Sequence, residues 1–255
     1  MLLDPRNGPA YDTPASQAVP RWWFLASTPR TGSTMLARAL WETRRVGAPK
    51  EYLNPTQVRD WEVRLGDPAS RVRHRLLRGP AVGLAGRGWW SAPRRQAYLH
   101  RIAQRRAGPT GWVGLKVHHH HFARWFGSER PDFPVRWVRI SRADPLGQAL
   151  SWHRALQTGA WAAHRPSKRP ARYHRAAIEA RLADIALAEA AWDRLLADVP
   201  TLDLTYEALT TDLTGTVNRV LDWLDEPPVG SVSPPLPRQA DALTDAWRRR
   251  FLAGR

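Results

Sequence analysis

The sequence predicts an α/β protein with three layers, in which helices cover both faces of a central, mostly parallel sheet. Short apolar runs with the composition of buried strands alternate with helical patterns along the chain, and strands buried on both faces are typical of parallel sheets joined by helical crossovers. With 255 residues, 43% of them hydrophobic and 14 of them Trp, the chain is long enough for one large domain with a substantial core.

The first predicted unit is a strand, a tight loop and a helix over residues 22–46. Bulky apolar residues over 22–26 have the composition of a buried strand. Pro29 and Gly32 end this run, and the apolar residues over 35–40 then recur at the spacing of one helix face. Such a unit places free N–H groups and the positive end of a helix dipole in one small concavity, which suits a phosphate.

The side chains of this loop favour the same interpretation. Arg30 adds a fixed positive charge, and Thr31, Ser33 and Thr34 add hydroxyl donors. The common nucleoside-triphosphate loop needs two glycines and a lysine directly before the hydroxyl, whereas this loop has one glycine and no lysine. An ordinary polar turn from strand to helix is the alternative.

The other elements follow in order along the chain. Residues 1–20 lack periodicity and are expected to form an irregular arm, and 21–255 a single domain. Residues 56–106 are expected to be an insertion of helix and loop that shapes the acceptor site, with a glycine-rich stretch over 79–90. Further strands are predicted over 112–117, 135–140 and 201–205, and further helices over 92–106, 145–160, 172–198, 213–225 and 242–252.

A second anion-binding signal lies where the strand over 135–140 passes into the next helix. Asp144 and Pro145 are a typical N-cap and first helical residue. Arg142 precedes them, and Ser151 lies two turns into the helix. A guanidinium can bind a phosphate through two parallel hydrogen bonds, and a helix hydroxyl can complete the site. Ser151 by itself also fits an ordinary hydroxyl on a helix surface.

These segments resemble sulfotransferases that use 3′-phosphoadenosine 5′-phosphosulfate (PAPS) as sulfuryl donor. The loop over 27–34 is similar to their 5′-phosphosulfate loop, and Arg142 followed nine residues later by Ser151 is similar to their 3′-phosphate pair. Within this group the chain resembles the actinobacterial trehalose 2-sulfotransferase family, through segments that follow the family order from residue 22 to 250. These segments are 25–36, 47–52, 142–158, 173–174 with the Ala-rich helix after it, and 238–241.

The resemblance implies a P-loop-like sulfotransferase fold, PAPS as co-substrate, adenosine 3′,5′-bisphosphate (PAP) as product and no metal. It also implies that Tyr206 lies near the adenine, although a buried structural role is equally open, and that Arg238 and Gln239 close over the nucleotide. The complete set of implied donor-binding residues is Pro29, Arg30, Thr31, Gly32, Ser33, Thr34, Arg142, Ser151, Tyr206, Arg238 and Gln239.

Three residues are candidates for catalysis. Transfer to a hydroxyl requires removal of its proton, which a carboxylate within hydrogen-bond reach can accept. The resemblance places this base at Glu51, on a loop between Pro49 and Pro55. Arg30 is expected to stabilise charge that develops on the phosphate oxygens, and Lys116 matches a family lysine near the transferred group. The alternatives are a solvated loop carboxylate for Glu51 and a solvated strand-end lysine for Lys116.

Tyr52, His118 and one stripe of a helix are predicted to contact the acceptor. Arg154, Gln157 and Trp161 are three and four positions apart, so they share a helix face that offers a sugar both hydrogen bonds and an aromatic ring. Burial of Trp161 in a core is the alternative.

The run His118–His121 is expected to be a polar loop that faces the acceptor. Adjacent residues of a strand point to opposite faces, so four histidines in a row cannot all converge on one ion. The chain contains no Cys, and we therefore expect no native metal site. The absence of Cys also excludes disulfides and cysteine nucleophiles.

The formal net charge of +16 favours polyanionic partners, which include nucleic acid, anionic membranes and small ligands with several negative groups. The basic residues are scattered along the chain, which is not typical of a nucleic-acid-binding arm. The sequence shows neither a signal-peptide pattern nor a run of about 18 apolar residues, so a cytoplasmic protein is expected.

The sequence therefore predicts a PAPS-dependent sulfotransferase that acts on a hydroxyl of a carbohydrate or another small metabolite. Trehalose is one candidate acceptor, and the resemblance makes a homodimer worth testing. We expect no nucleic-acid partner and no stable membrane insertion. The alternatives are a P-loop-type phosphotransferase, for which the Walker lysine and an acidic metal-binding motif are missing, and a basic protein that binds nucleic acid or membranes.

Overall fold

Four parallel strands form the centre of the molecule. The computed structural model describes residues 2–14, 18–65, 92–161, 170–234 and 242–254. Within them the strands lie in the order β2-β1-β3-β4, and each neighbouring pair is parallel. This confirms the predicted α/β fold with a parallel sheet. The strands are β1 (Arg21–Ser27), β2 (Trp112–His118), β3 (Val135–Ser141) and β4 (Thr201–Thr205).

The helices lie close to their predicted positions, with two differences. The histidine run is not a loop, since β2 extends through His118 and a helix begins at His119. A short helix after β4 was not predicted; the Thr205 hydroxyl caps it by accepting from the N–H of Ala208 at 3.1 Å. The described helices are α1 (Ser33–Glu42), α2 (Pro55–Arg64), α3 (Ala92–Arg106), α4 (His119–Phe126), α5 (Pro145–Thr158), α6 (Arg175–Leu196), α7 (Tyr206–Thr211), α8 (Leu213–Trp223) and α9 (Ala242–Leu252).

The N-terminal arm, which we define as residues 2–14, contains two single turns of 3-10 helix at Pro5–Asn7 and Pro9–Tyr11. The glycine-rich stretch over 79–90 lies outside the described residues.

Strand β1 is buried on both faces, which divides the core into two layers. Leu25 packs with Leu36 of α1 and Val220 of α8 on one face. Phe24 packs on the opposite face with Phe122 of α4, and α3 and α6 contribute to the same cluster. Burial of each such side chain contributes about 1.5–3 kcal/mol of transfer free energy. A third apolar cluster joins α5, α6 and α9 and thereby holds α9 beside the start of α5.

The strand order creates a crevice between the carboxyl ends of β1 and β3. The connection from β1 leads to β2 on one side, and the connection from β3 leads to β4 on the other side. Open parallel sheets bind ligands at such a switch point, outside the carboxyl ends of the strands. The loop that carries Arg30 follows β1 and the loop that carries Arg142 follows β3, so the fold brings both to this crevice.

Gly114 of β2 provides a test of how closely Trp23 of β1 and Pro49 pack against β2. A Cβ added to Gly114 would lie 2.6 Å from the Trp23 ring and 2.8 Å from the Cβ of Pro49. We therefore expect Gly114→Ala to lower the free energy of unfolding by about 1–3 kcal/mol, measured by urea denaturation. The control is Gly230→Ala, where an added Cβ meets no heavy atom within 4 Å. Equal losses in both variants would contradict this packing.

Candidate active site

The loop between β1 and α1 has a backbone suited to an anion. Arg30 and Gly32 both adopt the left-handed conformation, with φ of 72° and 77°. The Thr31 hydroxyl is buried and donates to the Thr28 carbonyl at 3.0 Å, which fastens the turn. Ser33 and Thr34 are the first two residues of α1, so the helix provides no carbonyl oxygen that could accept from their N–H groups. This helix end therefore has donors and a positive dipole of the kind that suits a phosphate.

A side chain at Gly32 would not fit the site. A Cβ there would lie 2.8 Å from Cδ2 of Tyr206, which is the first residue of α7. Tyr206 thus packs directly against the turn that begins α1.

Two helices on other parts of the chain hold the start of this loop in place. Gln148 of α5 is buried, and its Nε2 donates to the Thr28 hydroxyl at 2.7 Å and to the Pro29 carbonyl at 2.8 Å. The Thr28 hydroxyl in turn donates to Glu189 of α6 at 2.7 Å, and Arg139 of β3 pairs with the same carboxylate at 2.8 Å. Sequence reasoning missed this support, since Glu189 is separated from the loop by 161 residues.

Arg142 lies against the first loop, so the two predicted anion corners share one crevice. Its Nη1 is 3.5 Å from the Arg30 carbonyl oxygen, and its guanidinium stacks on the Tyr206 ring at 4.5 Å. Its Nη2 is 3.6 Å from Oδ2 of Asp144, the N-cap of α5. The Nε of Arg142 is buried and has no hydrogen-bond partner among the described residues. The structure therefore places at the crevice a guanidinium that stacks on an aromatic ring and has one N–H donor without a partner among the described residues.

Arg30 spans the crevice and meets the second predicted corner. Its Nε donates to the Ser151 hydroxyl at 2.8 Å, and its Nη1 donates to the Trp161 carbonyl at 2.7 Å. Burial and the nearby charges of Arg142 and Arg154 lower the pKa of Arg30 to about 10. Like charges held this close favour a bound anion, which would relieve their repulsion.

Arg248 of α9 is a further cation at this corner that the sequence did not reveal. Its guanidinium pairs with Asp144. A Cβ on Gly147 would lie 2.6 Å from Nη2 of Arg248 and 2.9 Å from Nη2 of Arg142, so both guanidinia converge on the first turn of α5. Arg248 begins a run of three arginines on a basic helix, and nothing in that run distinguishes it from its neighbours.

Glu51 and Lys116 form a pair on the other side of β1. The Nζ of Lys116 donates to Oε1 of Glu51 at 2.5 Å and to the hydroxyl of Thr34, in the first turn of α1, at 2.8 Å. Asn54 donates to Oε2 of Glu51 at 2.8 Å. His118 lies beside the pair, with Nε2 3.6 Å from Oε1 of Glu51 and Nδ1 3.0 Å from the Ser27 hydroxyl. Lys116 therefore connects the carboxylate to the start of α1.

The surroundings keep Glu51 charged and His118 neutral at neutral pH. Burial alone would raise the pKa of Glu51, but the charge of Lys116 and the contact with His118 outweigh it and place that pKa well below the usual 4.5. Burial and the charge of Lys116 lower the pKa of His118 below its usual 6.5. Glu51 is therefore an ionised carboxylate that can accept a proton.

The predicted acceptor residues are not all brought together. Tyr52 is fully buried in the core and its hydroxyl donates to the Ala48 carbonyl at 2.5 Å, so its expected contact with an acceptor is wrong. The expected helical stripe is also wrong, because α5 ends at Thr158 and Gly159 turns the chain with φ of 69° before Trp161.

The remaining members of that stripe have partners within the protein. Gln157 exchanges two hydrogen bonds with the backbone of Arg172, at 2.7 and 2.8 Å. Arg154 donates to the Thr244 hydroxyl of α9 at 2.5 Å. Trp161 is 43% exposed, so its ring is available to a ligand. Arg238 and Gln239 lie outside the described residues.

The histidine run divides between the core and the site. His118 contacts Glu51, whereas His119 packs edge-on against Trp192 at 5.3 Å.

In the described part of the chain, no group of three or more His, Cys, Asp or Glu side chains is arranged to hold a metal ion. The helices within these same residues include none with the length and apolar character needed to cross a membrane.

Comparison with known proteins finds similarity over most of the chain. The family model described as Stf0 sulphotransferase matches residues 23–254. Trehalose 2-sulfotransferases of Mycobacterium tuberculosis and Mycolicibacterium smegmatis are each 29% identical to the chain; they align with 93% and 91% of it and with 96% and 94% of their own lengths. The sulfotransferase domain from the curacin biosynthetic pathway, at 11% identity, has a TM-score of 0.50 and covers 92% of this chain and 99% of its own, which shows a shared fold.

The pKa of Glu51 gives a testable effect on stability. Because this pKa is lowered on folding, the carboxylate stabilises the fold above pH 4.5, and this contribution is lost as the pH falls through the folded value. Glu51→Gln should therefore be destabilised relative to the wild type at neutral pH, and the difference should shrink at acid pH. Urea denaturation at several pH values measures it.

Glu179→Gln is the control, since Glu179 forms a half-exposed pair with Arg175 on the helix surface. We expect a small loss in this variant, of about 0.5 kcal/mol or less. A Glu51→Gln deficit that stays constant from neutral to acid pH would contradict the lowered pKa.

Proposed function

Because the chain belongs to the Stf0 sulphotransferase family and is a sulfotransferase, we propose that PAPS is its sulfuryl donor and that a hydroxyl of a carbohydrate or another small metabolite is its acceptor. One observation carries the proposal: the Arg30 and Arg142 corners touch each other, and the Lys116–Glu51 pair adjoins them through Thr34. This arrangement offers two anion sites and a carboxylate base around one crevice.

The residues of the crevice fit a nucleotide with anionic groups at both ends. The turn at Arg30 and Gly32 and the start of α1 would hold the 5′-phosphosulfate. Arg142, whose Nε has no hydrogen-bond partner in the described ranges, and Ser151 would hold the 3′-phosphate, and Arg248 adds a second cation there. Tyr206, on which Arg142 stacks, would lie beside the adenine.

When bound, the donor supplies a sulfuryl group whose bond to the bridging phosphate oxygen breaks as the bond to the acceptor oxygen forms. Glu51 would accept the proton of the acceptor hydroxyl, since it is ionised and lies beside the start of α1. The ammonium of Lys116, which contacts both Glu51 and Thr34, and the guanidinium of Arg30 would stabilise negative charge on the departing phosphate oxygen.

The acceptor class rests on the relatives. Two proteins named trehalose 2-sulfotransferase align along more than nine-tenths of this chain, which supports a sugar acceptor. The backbone carbonyl of Trp161 accepts from Arg30, and its exposed ring would be available to stack on a sugar. The expectations that residues 56–106 shape this side and that the protein works in the cytoplasm stay predictions, and a homodimer stays a state worth testing.

The proposed 3′-phosphate site is tested by Arg142→Ala. We expect the variant to bind PAP about 10–100-fold more weakly, since a charge-assisted hydrogen-bonded pair contributes about 1.5–3 kcal/mol. Binding of adenosine 5′-phosphate, which lacks the 3′ group, should change little. Calorimetric titration of both nucleotides measures this. Arg136→Ala is the control, as Arg136 lies on β3, the strand that precedes Arg142, but pairs with Asp225 at the surface. Equal weakening of both nucleotides would reject the assignment.

The proposed base is tested by Glu51→Gln. We expect turnover to fall by about 10²–10⁴-fold, the usual contribution of a general base. Binding of PAP should stay within about twofold, since Glu51 lies outside the proposed phosphate sites. Transfer of labelled sulfate to an acceptor found in a screen that begins with trehalose measures turnover. A variant that turns over at the wild-type rate removes Glu51 from this role.

A further inference from the structure

A buried polar network joins the N-terminal arm to the segment that carries Glu51. Asp60 of α2 is fully buried, and its carboxylate accepts from the N–H groups of Leu3 at 2.8 Å and Asp4 at 2.7 Å. The side chain of Asn7, also fully buried, donates to the same carboxylate at 3.0 Å. Arg59 pairs with the same carboxylate at 3.3 Å, so the arm supplies three of the donors to this buried group, and their loss would leave its acceptor oxygens partly unsatisfied.

Two arginines fasten the far end of the arm. Arg106, at the end of α3, is fully buried and donates to the carbonyl oxygens of Arg6 at 3.0 Å and Gly8 at 3.3 Å. Arg64, at the end of α2, donates to Oδ1 of Asp12 at 2.8 Å and to the carbonyl oxygen of Asn7 at 3.0 Å. The arm is thus held along its length by polar contacts with α2 and α3.

Lys50, the residue before Glu51, connects this network to the site. Its ammonium donates to Asn7 at 2.6 Å and to Gln57 at 2.8 Å, and it pairs with Asp4 at 2.9 Å. An ammonium has three donors, so these three partners use all of them. None of the three partners lies in the donor crevice. The ammonium of Lys50 therefore binds the arm and α2 and does not contact the proposed phosphate sites.

The backbone of Lys50 is held just as closely. Its carbonyl oxygen accepts from the N–H of Lys116 at 3.0 Å and from the N–H of Tyr52 at 2.9 Å, and the residue forms a parallel bridge with Leu115. Lys116 thus binds the Lys50 carbonyl with its backbone and the Glu51 carboxylate with its side chain. A displacement of Lys50 would move the Glu51 carboxylate relative to Lys116.

We propose that Lys50 is a positioning residue, and that the N-terminal arm fixes the Glu51 carboxylate against Lys116 by binding the Lys50 ammonium. Its catalytic consequence rests on the proposed role of Glu51. A displacement of about 1 Å in a reacting group can cost about 10²-fold in rate, so a contact outside the crevice is able to control turnover.

The test compares Lys50→Met with Asp12→Ala in the full chain. Lys50→Met removes the ammonium but keeps a long apolar side chain. Asp12→Ala removes the pair with Arg64 and so loosens the arm, whereas the hydrogen bond from Arg64 to Asn7 and the three partners of Lys50 stay in place. The pKa of the Glu51 carboxyl is followed by carbon-13 NMR. We expect it to rise in Lys50→Met, because the carboxylate loses its fixed contact with Lys116 and keeps only Asn54 and the neighbouring His118. We expect no change in Asp12→Ala.

The rate supplies a second readout. The turnover of Lys50→Met should fall about tenfold or more, whereas that of Asp12→Ala should stay within about twofold, and both variants should bind PAP normally. If Lys50→Met does not fold, Gln57→Ala takes its place, because it removes one of the three acceptors of the Lys50 ammonium. The pKa of Glu51 should then rise and the turnover should fall, each by a smaller amount.

Two results would overturn the proposal: a Glu51 pKa that is unchanged in Lys50→Met, or one that rises equally in both variants, as a merely structural arm would produce. Failure of the proposed function is seen separately. If Glu51 is not the base, Glu51→Gln turns over normally, while the NMR measurement still decides whether Lys50 positions the carboxylate.

Discussion

The close approach of the two arginine corners is the constraint on which the site depends. Arg30 and Arg142 follow neighbouring parallel strands, and the guanidinium of Arg142 lies against the carbonyl of Arg30. Burial and like charge lower the pKa of Arg30 to about 10, so the close approach of these cations destabilises the fold. Asp144 offsets part of this repulsion by pairing with Arg142 and Arg248. Such crowding is expected where an anionic ligand completes the charge balance.

The sheet topology separates the binding of the donor from the chemistry at the acceptor. The two corners lie on the β3 side of β1, and the Lys116–Glu51 pair lies on the β2 side. Thr34, in the first turn of α1, links the two sides through its contact with Lys116. One helix terminus thus lies between the proposed phosphate sites and the proposed base, which is the arrangement needed for transfer from a phosphate to a neighbouring hydroxyl.

Local patterns predicted the parts of this site that lie on contiguous segments. The apolar run before Pro29 and Gly32 predicted β1, the turn and α1, and Asp144-Pro145 marked the start of α5. Short buried strands between helices were enough to predict the parallel sheet.

What the sequence could not supply are contacts between distant segments. Glu189 supports the Thr28 loop and Arg248 reaches Asp144 only because of how α6 and α9 pack. The sequence places Tyr52 on a loop, but the core encloses its side chain, which packs edge-on against Trp61. The spacing predicts Trp161 on a helix face, but the helix ends before Gly159.

A crystal structure of the protein with PAP tests the central claim most directly. We expect one nucleotide per chain, with its 5′-phosphate at the N–H groups of the turn from Arg30 to Thr34 and its 3′-phosphate bound by Arg142. A nucleotide that occupies one corner and leaves the other empty, or two nucleotides that each occupy one corner, would contradict it.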